Sequence, residues 1–365
     1  MSAYEIIFLC AFILYFLQTF IFTLGASKKF PRLSESELPF ITILVAARNE
    51  EDNILDCMKS LDNLEYPAGK IEIILIDDHS TDKTNAIIND FIKDKPKFKC
   101  ISAPESVGRL KGKANALAYA LKFAKGKVIL TTDADCVVSP LWAKTLASYY
   151  ADNVAFVGGY TTQDDKTIFG GMQAVDFIYL LTVSAGSMNF NRPNSCIGNN
   201  MSYLKKAYDE VGGYESIPFS VTEDFSLLKA IHNLGKYKVI YPCDPGSLVT
   251  SKPCKDWKSL YWQKKRWGVG GIKNDYLGYL AVFTGYVTHL SIVLMPFIFS
   301  AVSLYLTFSK VALDYFFVKT VFNKLGMKLK IVQFFAFEIY FIIYVLVLPF
   351  VVLPSRKVMW KGRVY

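Results

Sequence analysis

The sequence predicts an α/β domain, a mostly parallel sheet with helices on both faces, joined to transmembrane helices. Three observations lead there. Long apolar runs lie toward the two ends of the 365 residues, strand-like and helix-like stretches alternate between them, and acidic pairs stand where strands finish.

Residues 1–27 read as an N-terminal transmembrane anchor, because 4–26 form a nearly unbroken apolar run of the length that spans hydrocarbon. A signal peptide would open on basic residues and close on a small-residue cleavage site. Here the run meets Lys28 and Lys29, which favours an uncleaved anchor with the following chain in the cytosol. Residues 28–39 hold Pro31 and Pro39 and read as a linker.

Residues 40–255 form the α/β domain. Strands are expected over 41–47, 71–76, 98–102 and 127–131, with helices over 51–64, from about 82, and over 113–124. This alternation implies βαβ crossovers, whose ligands bind beyond the carboxyl ends of the strands. Residues 256–276 place Trp257, Tyr261, Trp262 and Trp267 among lysines, as in an amphipathic helix at a membrane interface. Residues 277–354 form a C-terminal transmembrane region. Its apolar run over 277–308 is either one tilted span or a tight pair broken near Pro296, and 331–353 is a further span. Residues 355–365 are a basic tail. Lysines between 310 and 330 and the basic tail both prefer the cytosol, so the number of crossings, three or four, stays open.

The hydrophobic share of 52% and aromatic share of 15% come from the two ends rather than the middle. The formal charge of +9 is spent largely beside apolar segments: Lys28, Lys29 and Arg32; Lys258, Lys264, Lys265, Arg266 and Lys273; Arg356, Lys357, Lys361 and Arg363. That clustering suits anionic headgroups, and with no nucleic-acid-binding motif it argues against a nucleic-acid partner. Seven cysteines without a Cys-x-x-Cys pair argue against a disulfide framework or a zinc site and fit a reducing cytosol. His79, His232 and His289 are far apart, so any metal is a hard one held by carboxylates.

Four constellations could carry chemistry. Asp77-Asp78 closes the second strand, where acids can accept hydrogen bonds from a base and a ribose; Ser80, Thr81 or Asp82 would equally start the next helix as a cap. Asp133-Ala134-Asp135 follows a buried strand at the ligand edge, where two carboxylates suit Mg²⁺ or Mn²⁺, although the same spacing is common in surface loops. Thr222-Glu223-Asp224 opens a helix, either as a cap with acids near the helix dipole or as a site of proton transfer. Gln263, Arg266 and Trp267 share one helical face, which would clamp a diphosphate and stack on an acceptor, or else anchor an interfacial helix. Gly108 to Lys113 lacks the spacing and the hydroxyl residue of a phosphate-binding P-loop, which excludes a P-loop ATPase. Asn200-Met-Ser202 fits a glycosylation sequon that has no meaning on a cytosolic domain.

Taken in order and at their distances, these sites resemble the family-2 inverting glycosyltransferases of the GT-A fold. The likeness runs over 40–271. It takes in Val45-Ala-Ala-Arg48-Asn49-Glu50, Asp77-Asp78-His79-Ser-Thr-Asp82-Lys-Thr84 and Gly112-Lys113-Ala-Asn-Ala-Leu117, then the Asp-x-Asp, Thr-Glu-Asp and Gln-x-x-Arg-Trp motifs. Gly198-Asn-Asn200-Met-Ser-Tyr203 with Val211-Gly-Gly213-Tyr214 looks like the family's acceptor-side segment. The resemblance implies that Glu50, Asp77 and Asp78 serve the donor nucleotide and that Lys113 lies near the diphosphate. It implies Asp135 as principal ligand of a divalent metal, Mn²⁺ or Mg²⁺, with Asp133 beside it on the donor. Asp224 would be the catalytic base, and Gln263, Arg266 and Trp267 would close over pyrophosphate and acceptor. His79 stands where the family usually has glycine. The closing Met359-Trp360-Lys361-Gly362-Arg363-Val-Tyr365 is similar to tails of membrane enzymes resembling ceramide and hopanoid-lipid glycosyltransferases.

The expected function is transfer of a sugar from a nucleotide-sugar, UDP-linked, to a membrane-lipid acceptor, with the catalytic domain on the cytosolic side of a bacterial inner membrane. A processive polysaccharide synthase of the cellulose, chitin or hyaluronan kind is the alternative. A non-enzymatic transporter or scaffold would explain the apolar ends but not the acids after strands, and Glu338 is its clearest intramembrane acid.

Overall fold

The computed structural model describes residues 1–106, 109–218, 220–271, 276–360 and 363–364. Gly108, Lys273, Lys361, Gly362 and Tyr365, which figure in the sequence reading, lie outside the described residues.

In chain order the first elements are α1 Ala3–Ala26, β1 Ile41–Ala47, α2 Ile54–Asp62, β2 Ile71–Asp77, α3 Thr84–Ile92, β3 Phe98–Ser102, α4 Gly112–Leu121 and β4 Val128–Asp133. Then come β5 Cys136–Val138, α5 Trp142–Ser148, β6 Val154–Gly158, β7 Thr161–Gln163, α6 Ile168–Met188, β8 Met201–Leu204, α7 Lys205–Glu210, α8 Gly213–Ser216 and α9 Glu223–Asn233. The chain closes with β9 Lys238–Ile240, β10 Val249–Ser251, α10 Trp257–Gly271, α11 Tyr276–Leu294, α12 Ala301–Lys324, α13 Ile331–Val352 and the hairpin β11 Met359–Trp360 and β12 Arg363–Val364. Two compact units emerge: residues 28–162 with 195–252, and residues 1–27 with 163–194 and 253–365. The sequence reading ran the α/β domain unbroken from 40 to 255. Residues 163–194 instead group with the apolar helices, because α6 is itself an apolar helix of 21 residues.

The first unit is built on a seven-stranded sheet in the order β3-β2-β1-β4-β8-β6-β9. β1 pairs in parallel with β2 and β4, β2 with β3, and β6 with β9, whereas β8 is antiparallel to β4 and β6. β1 is Ile-Thr-Ile-Leu-Val-Ala-Ala, apolar on both faces, as a parallel strand covered by helices on both sides requires. Thr42 is the polar exception, and it donates to Glu72 at 2.5 Å while accepting from the backbone of Gly126 at 2.8 Å. The register sets Ala47 opposite Asp77 and Ala46 opposite Asp133, so the two acids stand at one sheet edge on either side of β1. A separate small sheet has the order β5-β10-β7.

Helix boundaries fall short of the sequence expectation where side chains serve loops. Residues 51–53 precede α2, and the carboxylate of Asp82 accepts from the backbone of Thr84 at 3.0 Å and of Glu51 at 3.1 Å. Those bonds hold Asp82 below the usual carboxylate range despite the opposing effect of desolvation.

The second unit gathers α1, α6, α11, α12 and α13. Four helices among the described residues are long and apolar enough to cross a membrane: α1, α6, α12 and α13; residues 278–294 of α11 form a shorter apolar helix. The run over 277–308 is therefore a pair broken near Pro296, with Leu294 ending one helix and Ser300 capping the next. α1 and α6 cross closely at Gly25 and Gly186, where a side chain on either would meet the other helix's backbone. Lys310, Lys319 and Lys324 lie within α12, which continues to Lys324. Lys310 is wholly buried, 2.8 Å from Asp314 and 2.7 Å from Glu338, and Asp314 also accepts from Tyr15 at 2.8 Å. Glu338 is thus one of several buried acids rather than a lone one. Lys264 is likewise not a headgroup-facing lysine: it is buried and ion-paired with Asp176.

Candidate active site

The loop after β1 and the loop after β2 are stitched together. The backbone N–H of Asn49 donates to Ser80 Oγ at 3.1 Å, that of Thr81 to Asn49 Oδ1 at 2.8 Å, and that of Glu50 to Thr84 Oγ1 at 2.8 Å. Asn49 and His79 both adopt left-handed backbone, with φ of 52° and 57°. Such backbone suits glycine or asparagine, so His79 takes up the conformation that a glycine there would adopt freely.

The acids of these loops are buried and partly engaged. Asp77 accepts from the Ser80 backbone at 3.1 Å and from Asn85 Nδ2 at 3.3 Å, and Glu50 accepts from Asn53 Nδ2 at 2.6 Å. Asp78 lies 3.9 Å from Arg48, whose guanidinium also donates to the Asp78 carbonyl at 2.9 Å. The capping and nucleotide roles are compatible here, because each carboxylate oxygen has a second lone pair.

β4 delivers Asp133, and the turn to β5 delivers Asp135. Lys113, from the first turn of α4 after Gly112 with φ of 58°, makes an ion pair with Asp133 and lies 3.9 Å from Glu223. At the start of α9, Thr222 makes no side-chain cap, and Asp224 Oδ1 accepts from the backbone N–H of Phe225 at 2.8 Å. A Cβ placed on Gly198 would sit 3.2 Å from Asp224 Oδ2 and 3.3 Å from Lys113 Nζ. Gly198 therefore lets backbone, ammonium and carboxylate meet. Burial works against the charge of Lys113, but Asp133, Glu223 and Asp224 outweigh it and hold its pKa above the ordinary lysine value.

Asn200 fixes the strand end that carries Gly198. It is fully buried, accepts from the Trp142 indole at 2.9 Å, and donates to the carbonyls of Tyr160 at 2.6 Å and Ser247 at 2.9 Å. Asn199 accepts from Thr161 at 2.8 Å, and Thr131 of β4 donates to the Gly198 carbonyl at 2.9 Å.

The chemistry of the donor set fits a hard divalent cation. Asp133 and Asp135 are half-buried oxygen donors, with Cys57 and Cys136 close by. Burial first, and then the neighbouring acids, push both thiols up, so they stay protonated and poor as soft-metal ligands.

The structure brings together Lys113, Asp133, Glu223 and Asp224, and places Asp77 at the end of β2 and Glu50, Asp78 and Asp135 on loops at the same sheet edge. Gln263, Arg266 and Trp267 lie on α10, in the helical unit. There Trp267 packs edge-on against Phe177 at 5.0 Å, and Gln263 Oε1 is buried with no hydrogen-bond partner among the described residues. Sequence reasoning named Glu223 within Thr222-Glu223-Asp224 but gave a role to Asp224 alone. It also missed Asp176, whose signal is a lone carboxylate within an apolar stretch.

Comparison with known proteins gives the family and the fold. Residues 42–212 match Glycosyl transferase family 2, and residues 128–353 match Glycosyl transferase family group 2. A β-monoglucosyldiacylglycerol synthase of Nostoc sp. is 30% identical over 256 residues, covering 67% of this chain and 51% of that protein. A poly-β-1,6-N-acetyl-D-glucosamine synthase of Staphylococcus epidermidis is 28% identical over 235 residues, covering 63% of this chain and 54% of that protein. The chain thus spans about half the length of these curated relatives. In structure it resembles a mannosyltransferase of Pyrobaculum calidifontis solved with GDP-Man and Mn²⁺, with a TM-score of 0.62 at 17% identity over 92% of this chain and 98% of that one. With a GT-A fold and the second match reaching from β4 to the last apolar helix, the chain belongs to the family-2 glycosyltransferases.

Proposed function

We propose that this protein is a membrane-bound inverting glycosyltransferase that moves a sugar from a nucleotide-sugar, with UDP as the carrier, to a hydroxyl of a membrane lipid. The observation that carries this reading is the meeting of Lys113, Asp133, Glu223 and Asp224 around Gly198 at the carboxyl edge of the sheet. Glu50, Asp77 and Asp78 grip the nucleoside, and Lys113 lies where a diphosphate would bring negative charge. Asp224 takes the proton of the acceptor hydroxyl; the oxygen attacks the anomeric carbon from the opposite face, and the bond to the diphosphate breaks with inversion. Asp135, with Asp133 beside it, would hold a Mn²⁺ or Mg²⁺ ion, which when bound supplies charge neutralisation for the departing diphosphate. Gln263, Arg266 and Trp267 would serve the diphosphate and acceptor, as the Gln-x-x-Arg-Trp motif implies.

The four long apolar helices and the glucolipid synthase relatives support a lipid acceptor in a multi-pass protein, and Lys28 and Lys29 after the first apolar run support a catalytic unit facing the cytosol of a bacterium. The second reading, a processive polysaccharide synthase, draws on the poly-β-1,6-N-acetyl-D-glucosamine synthase relatives. Purified protein is to be incubated with radiolabelled UDP-sugars, Mn²⁺ and lipid vesicles. A single-sugar lipid supports the proposal, long chains support the second reading, and no metal-dependent transfer or hydrolysis with any common donor refutes both. Asp224→Asn should lower turnover by about 10²–10⁴-fold while leaving UDP binding near wild type.

A further inference from the structure

The helix that carries Gln263, Arg266 and Trp267 has a charged partner deep among apolar residues. Lys264 and Asp176 form an ion pair with side chains only 5% and 1% exposed. The pair is not isolated. On α6, Phe169, Gln173, Asp176 and Phe177 are spaced as i, i+4, i+7 and i+8 and so share one stripe. Each member meets α10 or the segment leading into it. Phe169 packs edge-on against Trp257 at 4.8 Å, and Phe177 against Trp267 at 5.0 Å. The Gln173 amide bonds both ways to the Cys254 backbone, accepting from its N–H at 2.8 Å and donating to its carbonyl at 3.1 Å. Lys264 also lies 4.3 Å from the centre of the Trp267 ring, so that indole is held between an ammonium and a phenyl ring.

Among the described residues the ion-pair partner of this ammonium is Asp176, so moving either one alone leaves a buried charge without its counter-charge. A slip of α10 by one residue would turn Lys264 away by about 100° and leave Asp176 unpaired. The pair therefore acts as a register pin. We propose that Asp176, through Lys264, is a positioning residue that fixes the rotation of α10 and so the direction in which Gln263, Arg266 and Trp267 present their polar atoms. This rests on the glycosyltransferase reading for its functional consequence, although not for its structural one.

The test uses the full chain in lipid nanodiscs. The variants are Asp176→Asn, Lys264→Met and the double variant D176L/K264M, which removes both charges and so leaves no lone buried ion. Three quantities are read: thermal stability, hydrogen exchange over residues 257–271, and kcat against donor KM. The single variants are expected to lose stability. The double variant is expected to recover it, yet to show faster exchange in 257–271 and a kcat about 100-fold down, with donor KM within about threefold. A merely structural pair would give kcat back together with stability. Wild-type exchange and a kcat within about twofold of wild type in the stable double variant would overturn the proposal. Faster exchange with undiminished kcat would also overturn it. Absence of transfer by the wild-type chain with any nucleotide-sugar would instead refute the glycosyltransferase reading, and the exchange result would then decide on the pin alone.

Discussion

Replacing Lys113 with methionine keeps a stem of the same length as far as Cε and removes the ammonium that three carboxylates face. Lys113 touches Asp133 and lies 3.9 Å from Glu223, with side-chain exposures of 13%, 34% and 15% for the three. Two unit charges at that separation attract by about 4 kcal/mol at an effective dielectric near 20. Asp133 is a third exposed, so solvent screens its share. Desolvating the ammonium takes back several kcal/mol more. A net loss of about 2–3 kcal/mol is therefore expected for Lys113→Met, most of it from carboxylates left facing one another.

The pH dependence has a definite sign. The folded pKa of Lys113 is raised, so its contribution is complete below the ordinary lysine value and disappears as pH climbs through the folded one. Wild type and variant should differ by a constant amount between about pH 6 and 9, and the gap should close only above about pH 10.5. Urea unfolding can be followed through Trp142, the one tryptophan of the strand-bearing unit, with the other four tryptophans replaced by phenylalanine. A difference under about 0.5 kcal/mol, or one that widens as pH rises from 6 to 9, would refute the electrostatic argument.

Chelation with EDTA should abolish turnover and added Mn²⁺ restore it, whereas Asp135→Ala should stay inactive and show weakened Mn²⁺ binding by electron paramagnetic resonance; full activity in EDTA would rule out the metal role. Lys310→Met strands the buried carboxylates of Asp314 and Glu338 and should cost about 3–5 kcal/mol, seen as a lower melting temperature in nanodiscs. Replacing all three charges with apolar residues should recover most of it, and an unchanged Lys310→Met protein would refute the ion-pair account. His79→Gly relieves left-handed backbone worth about 1–2 kcal/mol but loosens the unfolded chain by about 0.4–1 kcal/mol. Its stability should then stay within about 1 kcal/mol of wild type, and a larger loss would mean that the imidazole itself is needed.

The sheet was legible because parallel strands buried on both faces write themselves as continuous apolar runs. Ile41–Ala47 and Ile71–Asp77 are such runs, and their acids at the carboxyl ends need no long-range knowledge to place. The meeting at Gly198 was less legible. Lys113, Asp224 and Gly198 come from three distant segments, and only the close approach that a missing Cβ permits brings them together. Helix ends were misjudged by two or three residues at 51–53 and near 82, where Asp82 serves two loops at once. Periodicity registers which face is apolar; it does not register a side chain spent on a neighbouring loop.

The helix α6 shows why hydropathy alone could not divide this chain. It lies in sequence between β7 and β8, both short strands, so the surrounding pattern argues for another covering helix of the α/β domain. Its composition does not contradict that, since a helix covered on all sides in a soluble core and a helix among membrane spans are both apolar all round. Length separates them weakly, because 21 residues suffice for either. What distinguishes α6 is Asp176. A carboxylate in the middle of an apolar helix is tolerated only with a committed partner, and that partner, Lys264, stands 88 residues later in a helix whose neighbouring lysine, Lys265, is buried as well. Read alone, Asp176 points to solvent and Lys264 to a headgroup, and the structure buries both. Read as a pair they cancel, and the cancellation is what lets an otherwise apolar helix be buried against the one that carries Gln263, Arg266 and Trp267.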